Sequence, residues 1–170
     1  MEKHLNVYSI IDFYNIMEQL QLSDDNVSDH TDIAIVSICN IDKELLGAIN
    51  AELVYERHYF KENHDNVINL DFDDISGYTE MYYGKKLYGL KDDDAEKLEE
   101  FIDKNIGRNF YIHCTAGMSR SQGVARFILD MYPQMEYITR TENPCKTPNY
   151  HVVTLLKKIF YRKYYGDETI

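Results

Sequence analysis

Short β-branched apolar runs alternating with amphipathic helical segments predict an α/β fold, a single domain with a central, mostly parallel sheet flanked by helices. Two stretches carry most of that prediction. Ile33 to Cys39 reads Ile-Ala-Ile-Val-Ser-Ile-Cys, an apolar run too short for a helix and apolar on both sides, as a strand buried on both faces requires. From Asp92 onward, Ala95, Leu98, Ile102 and Ile106 recur on one helical face, three aspartates crowd the first turn, and Gly107 stands where the helix would stop.

Elsewhere the chain alternates in the same manner. Asn6 to Ile10 predicts a short strand, and Asp12 to Leu22 a helix whose face is Phe13, Ile16, Met17 and Leu20. Ser23 to Thr31 is polar and reads as a loop. Leu45 to Tyr55 reads as a helix, and Asn66 to Phe72 as a strand that runs into Asp73-Asp74. Ile75 to Leu90, rich in Tyr and Gly without clear period, reads as a loop with partial helix. Asn109 to His113 is a strand, Thr115 to Ser119 a loop of small residues, and Val124, Phe127, Ile128 and Met131 mark the next helix. Thr147 as N-cap and Pro148 at the first helical position open the last one, whose core face is Val152, Leu155, Leu156, Ile159 and Phe160.

Composition excludes several functions. The 170 residues carry 29 acidic against 18 basic side chains, a net charge of -11 that disfavours nucleic acid and anionic lipid as partners. No segment approaches the roughly 18 apolar residues needed to span a bilayer. The first residues resemble no secretory leader, so a soluble, cytoplasmic protein is expected. Cys39, Cys114 and Cys145 form no Cys-x-x-Cys pair, and neither a disulfide framework nor a metal site is indicated. Cys39 and Cys145 read as small buried hydrophobes, with Cys145 a redox partner only if the fold brings it close.

Cys114 is set apart by the residues on its carboxyl side. A loop between a buried strand and a helix N-terminus presents backbone N–H groups at the positive end of the helix dipole, an anion site suited to phosphate. Gly117 allows a sharp turn, Thr115, Ala116 and Ser119 keep the rim small, and Arg120 adds a planar fork that matches two phosphate oxygens. At the base of that cradle the Cys114 thiol would be acidified and aligned for attack on phosphorus.

His113-Cys114-Thr115-Ala116-Gly117-Met118-Ser119-Arg120-Ser121 resembles the H-C-x-x-G-x-S-R-S loop of the cysteine-dependent protein tyrosine phosphatase superfamily, in its dual-specificity branch. The likeness extends more weakly from Leu70 to the helix after Arg120. It implies a tyrosine-phosphatase-like fold and hydrolysis of phosphotyrosine, with phosphoserine or phosphothreonine as further substrates, through a phosphocysteine on Cys114 and without a cofactor. Residues 115–119 and Arg120 would hold the phosphate, Ser121 would help the thiolate leave, and His113 would orient the loop. The family also uses an upstream aspartate as general acid and base. Asp74, at the end of a strand and 40 residues before Cys114, is the expected acid, with Asp73 and Asp71 as alternatives.

Among related substrates, phosphoinositides are disfavoured because Thr115, Ala116 and Met118 are neutral where lysines would meet extra phosphates, and RNA 5'-phosphates by the net charge. A phosphorylated protein is therefore the expected partner. A non-catalytic phospho-binding module is the remaining alternative, should no aspartate reach the pocket. Asp92-Asp93-Asp94 reads as a helix start, and tyrosines between Tyr78 and Tyr88 are candidates for a pocket wall.

Overall fold

The computed structural model describes residues 2–43, 45–49, 52–141 and 147–166. Five strands, β1 (His4–Tyr8), β2 (Ile33–Cys39), β5 (Val67–Asp71), β8 (Asn109–His113) and β9 (Ile138–Thr141), form one sheet in the order β5-β2-β8-β1-β9. Every pairing in it is parallel. Two antiparallel hairpins lie outside it, β3 (Leu45–Ile49) with β4 (Glu52–Tyr55), and β6 (Thr79–Tyr82) with β7 (Lys85–Tyr88).

Side-chain alternation along β2 explains why the sheet needs cover on both faces. Ile33 and Ile35 pack with Phe13 and Met17 of α1 (Ile10–Gln19), while Ala34, Val36 and Ile38 join the larger core formed with α2 (Asp92–Asn105), α3 (Arg120–Met131) and α4 (Tyr150–Tyr165). All seven β2 residues are buried, as the unbroken apolar run predicts. Burying a side chain such as Phe13 or Ile35 contributes about 1.5–3 kcal/mol. These contacts, repeated over both faces, hold the sheet rigid under the loops at its carboxyl end.

Several elements differ from the sequence expectation. Leu45–Ile49 and Glu52–Tyr55 pair as antiparallel strands and are not a helix: the apolar spacing suits either, and pairing between the two short strands decides. Residues 79–88 also form a hairpin, turned at Tyr83 and Gly84, whose φ values of 46° and 79° are those of a tight hairpin turn. α4 is capped by Asn149 and not by Thr147: the Asn149 side chain accepts from the Val152 N–H, and Pro148 precedes the cap. α1 starts two residues early because Ser9 caps it by accepting from Asp12 N. β9 has no counterpart in the sequence expectation; its four residues are largely exposed, so no buried face marks them.

Candidate active site

β1 passes the chain to α1 on one face of the sheet, whereas its neighbour β8 passes it to α3 on the other. Strands that diverge in this way open a crevice at their carboxyl ends, where open α/β sheets place ligands. Residues 114–119 lie in that crevice. Gly117 adopts φ +69°, and a Cβ there would sit 2.5 Å from the carbonyl carbon of Tyr8 and 2.7 Å from the Ser9 nitrogen. Only glycine lets the loop lean this closely on the β1–α1 junction. Ile10 N also donates to Thr115 O at 3.2 Å, and Gln122 Nε2 to Gly117 O at 3.2 Å.

Cys114 lies at the base of the loop, 2 % exposed. Its Sγ is 3.2 Å from the Ser121 Oγ. Burial alone would raise the thiol, but the Arg120 guanidinium, the Ser121 hydroxyl and the backbone N–H groups of Ser121 and Ser119 outweigh it and hold the thiol below its ordinary value. At Cys39, by contrast, burial outweighs the Lys43 and Arg120 charges, Glu56 and Asp71 act with it, and the thiol is pushed up to about 12.

Arg120 is fixed by two hydrogen bonds, Nη1 to the Phe72 carbonyl at 2.6 Å and Nη2 to Thr115 Oγ1 at 2.9 Å. The Thr115 hydroxyl in turn donates to Glu56 Oε1 at 2.8 Å, and buried Glu56 accepts from Asn40 N and Nδ2. Arg120 Nε, also buried, has no hydrogen-bond partner. A buried guanidinium N–H without an acceptor is costly unless an anion completes it.

The three aspartates take three different parts. Asp71 accepts from Lys43 and faces His58. Asp73 is buried, and its two oxygens accept from the backbone N–H groups of Ile41 and Tyr88, which ties the second hairpin to the end of β5. Asp74 alone reaches the loop: its Oδ1 accepts from Ser119 Oγ at 2.7 Å and from Asn149 Nδ2 at 2.7 Å. Asp74, Ser119, Asn149, Glu80 and Tyr150 line an open cleft beside it. No tyrosine of residues 78–88 lines that cleft; Tyr150 from α4 does.

Of the residues singled out by the sequence, the structure thus gathers Cys114, Thr115, Ala116, Gly117, Met118, Ser119, Arg120, Ser121 and Asp74 in one place. Asp71 and Asp73 are occupied elsewhere, and Cys145 falls outside the described residues. Sequence reasoning missed Glu56 and Asn149; an asparagine just before an apolar helical pattern was a capping signal for the second. Among the described residues, Cys39, His58 and Asp71 are the group whose donor atoms lie within 4.8 Å of one another. The Lys43 ammonium on Asp71 and the protonated, buried Cys39 make that cluster a poor cation site.

Comparison with models of protein families, with curated proteins and with solved structures finds no match for this chain. Among the described residues, no helix is long and apolar enough to cross a membrane.

Proposed function

We propose that this chain is a cysteine-dependent phosphatase that hydrolyses phosphotyrosine, and phosphoserine or phosphothreonine where they reach the pocket, on protein substrates. The observation that carries the reading is the pairing of an acidified Cys114 with a buried, unpartnered Arg120 Nε at the same helix N-terminus. Such a pocket sets a nucleophile beside a buried guanidinium N–H able to bind an anion.

In the first step the Cys114 thiolate attacks phosphorus, the bond from phosphorus to the leaving oxygen breaks, and Asp74 gives that oxygen its proton. In the second, Asp74 takes a proton from water, the water oxygen attacks the phosphocysteine, and the S–P bond breaks with the electron pair returning to Sγ. Ser121, already 3.2 Å from that sulfur, donates to it as the charge returns. The hydrogen bonds from Ser119 and Asn149 that hold Asp74 beside the loop support both tasks. The cleft wall supports a polypeptide substrate over a polyanion, since it carries Glu80 and Asp74 and no lysine or arginine.

Hydrolysis of para-nitrophenyl phosphate in EDTA by wild type and Cys114→Ser tests the proposal. Turnover in the wild type that disappears in the variant is expected. A wild type that binds tungstate yet hydrolyses nothing would make the site a phospho-binding module.

A further inference from the structure

We infer that the hairpin of β6 and β7 reads the polypeptide around the phosphoresidue: Glu80 pairs with a lysine or arginine close to it, and Tyr82 and Tyr83 receive an apolar side chain about two positions farther along. The inference deepens the phosphatase reading and rests on it for the position of the phosphate at the Cys114 loop.

The base of the hairpin is tied to the body of the protein. Asp73 N donates to the Tyr88 carbonyl at 2.7 Å, Tyr88 N donates to Asp73 Oδ2 at 2.8 Å, and Gly89 N donates to the Tyr78 carbonyl at 3.0 Å. The Tyr78 hydroxyl donates to Asp92 Oδ1 at 2.6 Å, and its ring meets the His151 ring edge-on with centroids 4.8 Å apart. From this base β6 runs outward. Glu80 stands opposite Leu87 and Tyr82 opposite Lys85, so these four share one face of the hairpin, while Thr79, Met81, Lys86 and Tyr88 share the other. Glu80 lines the cleft with Asp74 and Ser119, so its face is the one that looks on the site. Tyr82, two residues on, carries that face about 7 Å farther out. Lys85, at the far end of the same face, pairs with Asp42 at 2.6 Å and steadies the hairpin over the carboxyl end of the sheet.

The charges in the cleft decide what lies along this face. Asp74 is engaged by Ser119 and Asn149, whereas the Glu80 carboxylate has no hydrogen-bond or ion-pair partner among the described residues. A polypeptide that brings a cation to Glu80 gains a pair, and one that brings a carboxylate meets repulsion from two acids with no lysine or arginine in the lining. Beyond Glu80, Met81, Tyr82 and Tyr83 are exposed side by side, Tyr83 by 93 %, in the kind of contiguous apolar patch that marks a binding surface. The Tyr82 and Tyr83 rings meet edge to face with centroids 4.6 Å apart and form one aromatic rim. Tyr83 is also a poor residue for its turn. At φ 46°, ahead of Gly84 at φ 79°, the backbone favours asparagine, and a tyrosine there costs stability while its ring stays in solvent. A residue that is unfavourable for the fold and fully presented to solvent is explained by what it touches in a complex.

The test is binding of fluorescent peptides to the full wild-type chain, read by anisotropy. Each peptide carries a non-hydrolysable phosphonate analogue of phosphotyrosine, with lysine or glutamate next to it on both sides and leucine or alanine two positions beyond each charged residue. The lysine peptide should bind about threefold or more tighter than the glutamate peptide; Glu80→Gln should roughly halve that ratio, and Glu80→Lys should invert it. Tyr83→Asn should keep or raise the melting temperature and yet erase the preference for leucine over alanine. Equal affinities in the wild type, tighter binding of the glutamate peptide, no binding of either, or a ratio that Glu80→Gln leaves intact would each overturn the inference. A chain that dimerises in sedimentation, with Tyr83→Asn abolishing the dimer and leaving peptide discrimination intact, would assign the tip to a second copy and overturn it as well. Para-nitrophenyl phosphate has no flanking residues, so failure to hydrolyse it counts against the phosphatase reading while the affinity ratios decide the hairpin.

Discussion

Replacing Gly117 by alanine should show how strongly the loop depends on its contact with the β1–α1 junction. Two costs add. A left-handed backbone at φ +69° costs an L-residue about 1–2 kcal/mol. A Cβ placed 2.5 Å from the Tyr8 carbonyl carbon and 2.6 Å from its oxygen meets backbone and not a movable side chain, which adds about 1–3 kcal/mol of overpacking. The sum, about 2–5 kcal/mol, should lower the melting temperature of a chain this size by about 5 °C or more. If the loop shifts to relieve the clash, stability is partly kept, but hydrolysis falls because the Ser119 and Ser121 N–H groups no longer converge on Cys114. Paired thermal melts and para-nitrophenyl phosphate assays separate the two responses. Gly77→Ala is the control, since a Cβ there meets nothing within 4 Å. A Gly117→Ala protein that melts and turns over like the control would refute this account of the loop.

The same geometry sets the outcome of other perturbations. Asp74→Asn should slow hydrolysis by about 10²–10⁴-fold while tungstate binding persists, whereas Asp73→Ala, which strips an acceptor from the Ile41 and Tyr88 N–H groups, should mainly lower stability by about 1–3 kcal/mol in urea melts. Arg120→Ala should raise the midpoint of Cys114 alkylation, because burial then acts with less opposition. The folded thiol lies below its unfolded value of 9.0, so between the two the unfolded chain binds more protons and wild-type stability relative to Cys114→Ala should rise with pH, level off above about 9, and be lost as pH falls through the folded value. Cys39, pushed up to about 12, should resist iodoacetamide near neutral pH under conditions that modify Cys114 fully.

The parts of this fold that were legible in the sequence are those whose environment is uniform. Ile33 to Cys39 is buried along its whole length, and α2 presents a single apolar stripe with acidic residues at its start, so each leaves a pattern that has one reading. The two hairpins lie outside the main sheet and left no such pattern; residues 45–55 carry apolar spacing that a helix would share, and Tyr83 takes a positive φ that nothing about tyrosine announces. The loop proposed to bind phosphate stood out in the sequence because its residues are contiguous from Cys114 to Ser121. Asp74 could be narrowed to three neighbours, and only folding, which brings Ser119 and Asn149 to one of them, separates it from Asp71 and Asp73. Glu56, Ser37 and His58 were illegible for the same reason: their partners are between 13 and 76 residues away along the chain.

The double anchorage of Asp74 has a dynamic consequence. Ser119 belongs to the loop that would cradle phosphate, and Asn149 caps α4 while also donating to the Ile75 carbonyl, so the carboxylate is gripped by segments that the core already holds still. Under the proposed phosphatase reading, an acid held in this way needs no swinging loop and no closing motion between binding and chemistry. Thickening the solvent with sucrose should therefore leave kcat for a small aryl phosphate unchanged: the site is assembled once, when the chain folds, and is not rebuilt at each encounter with substrate.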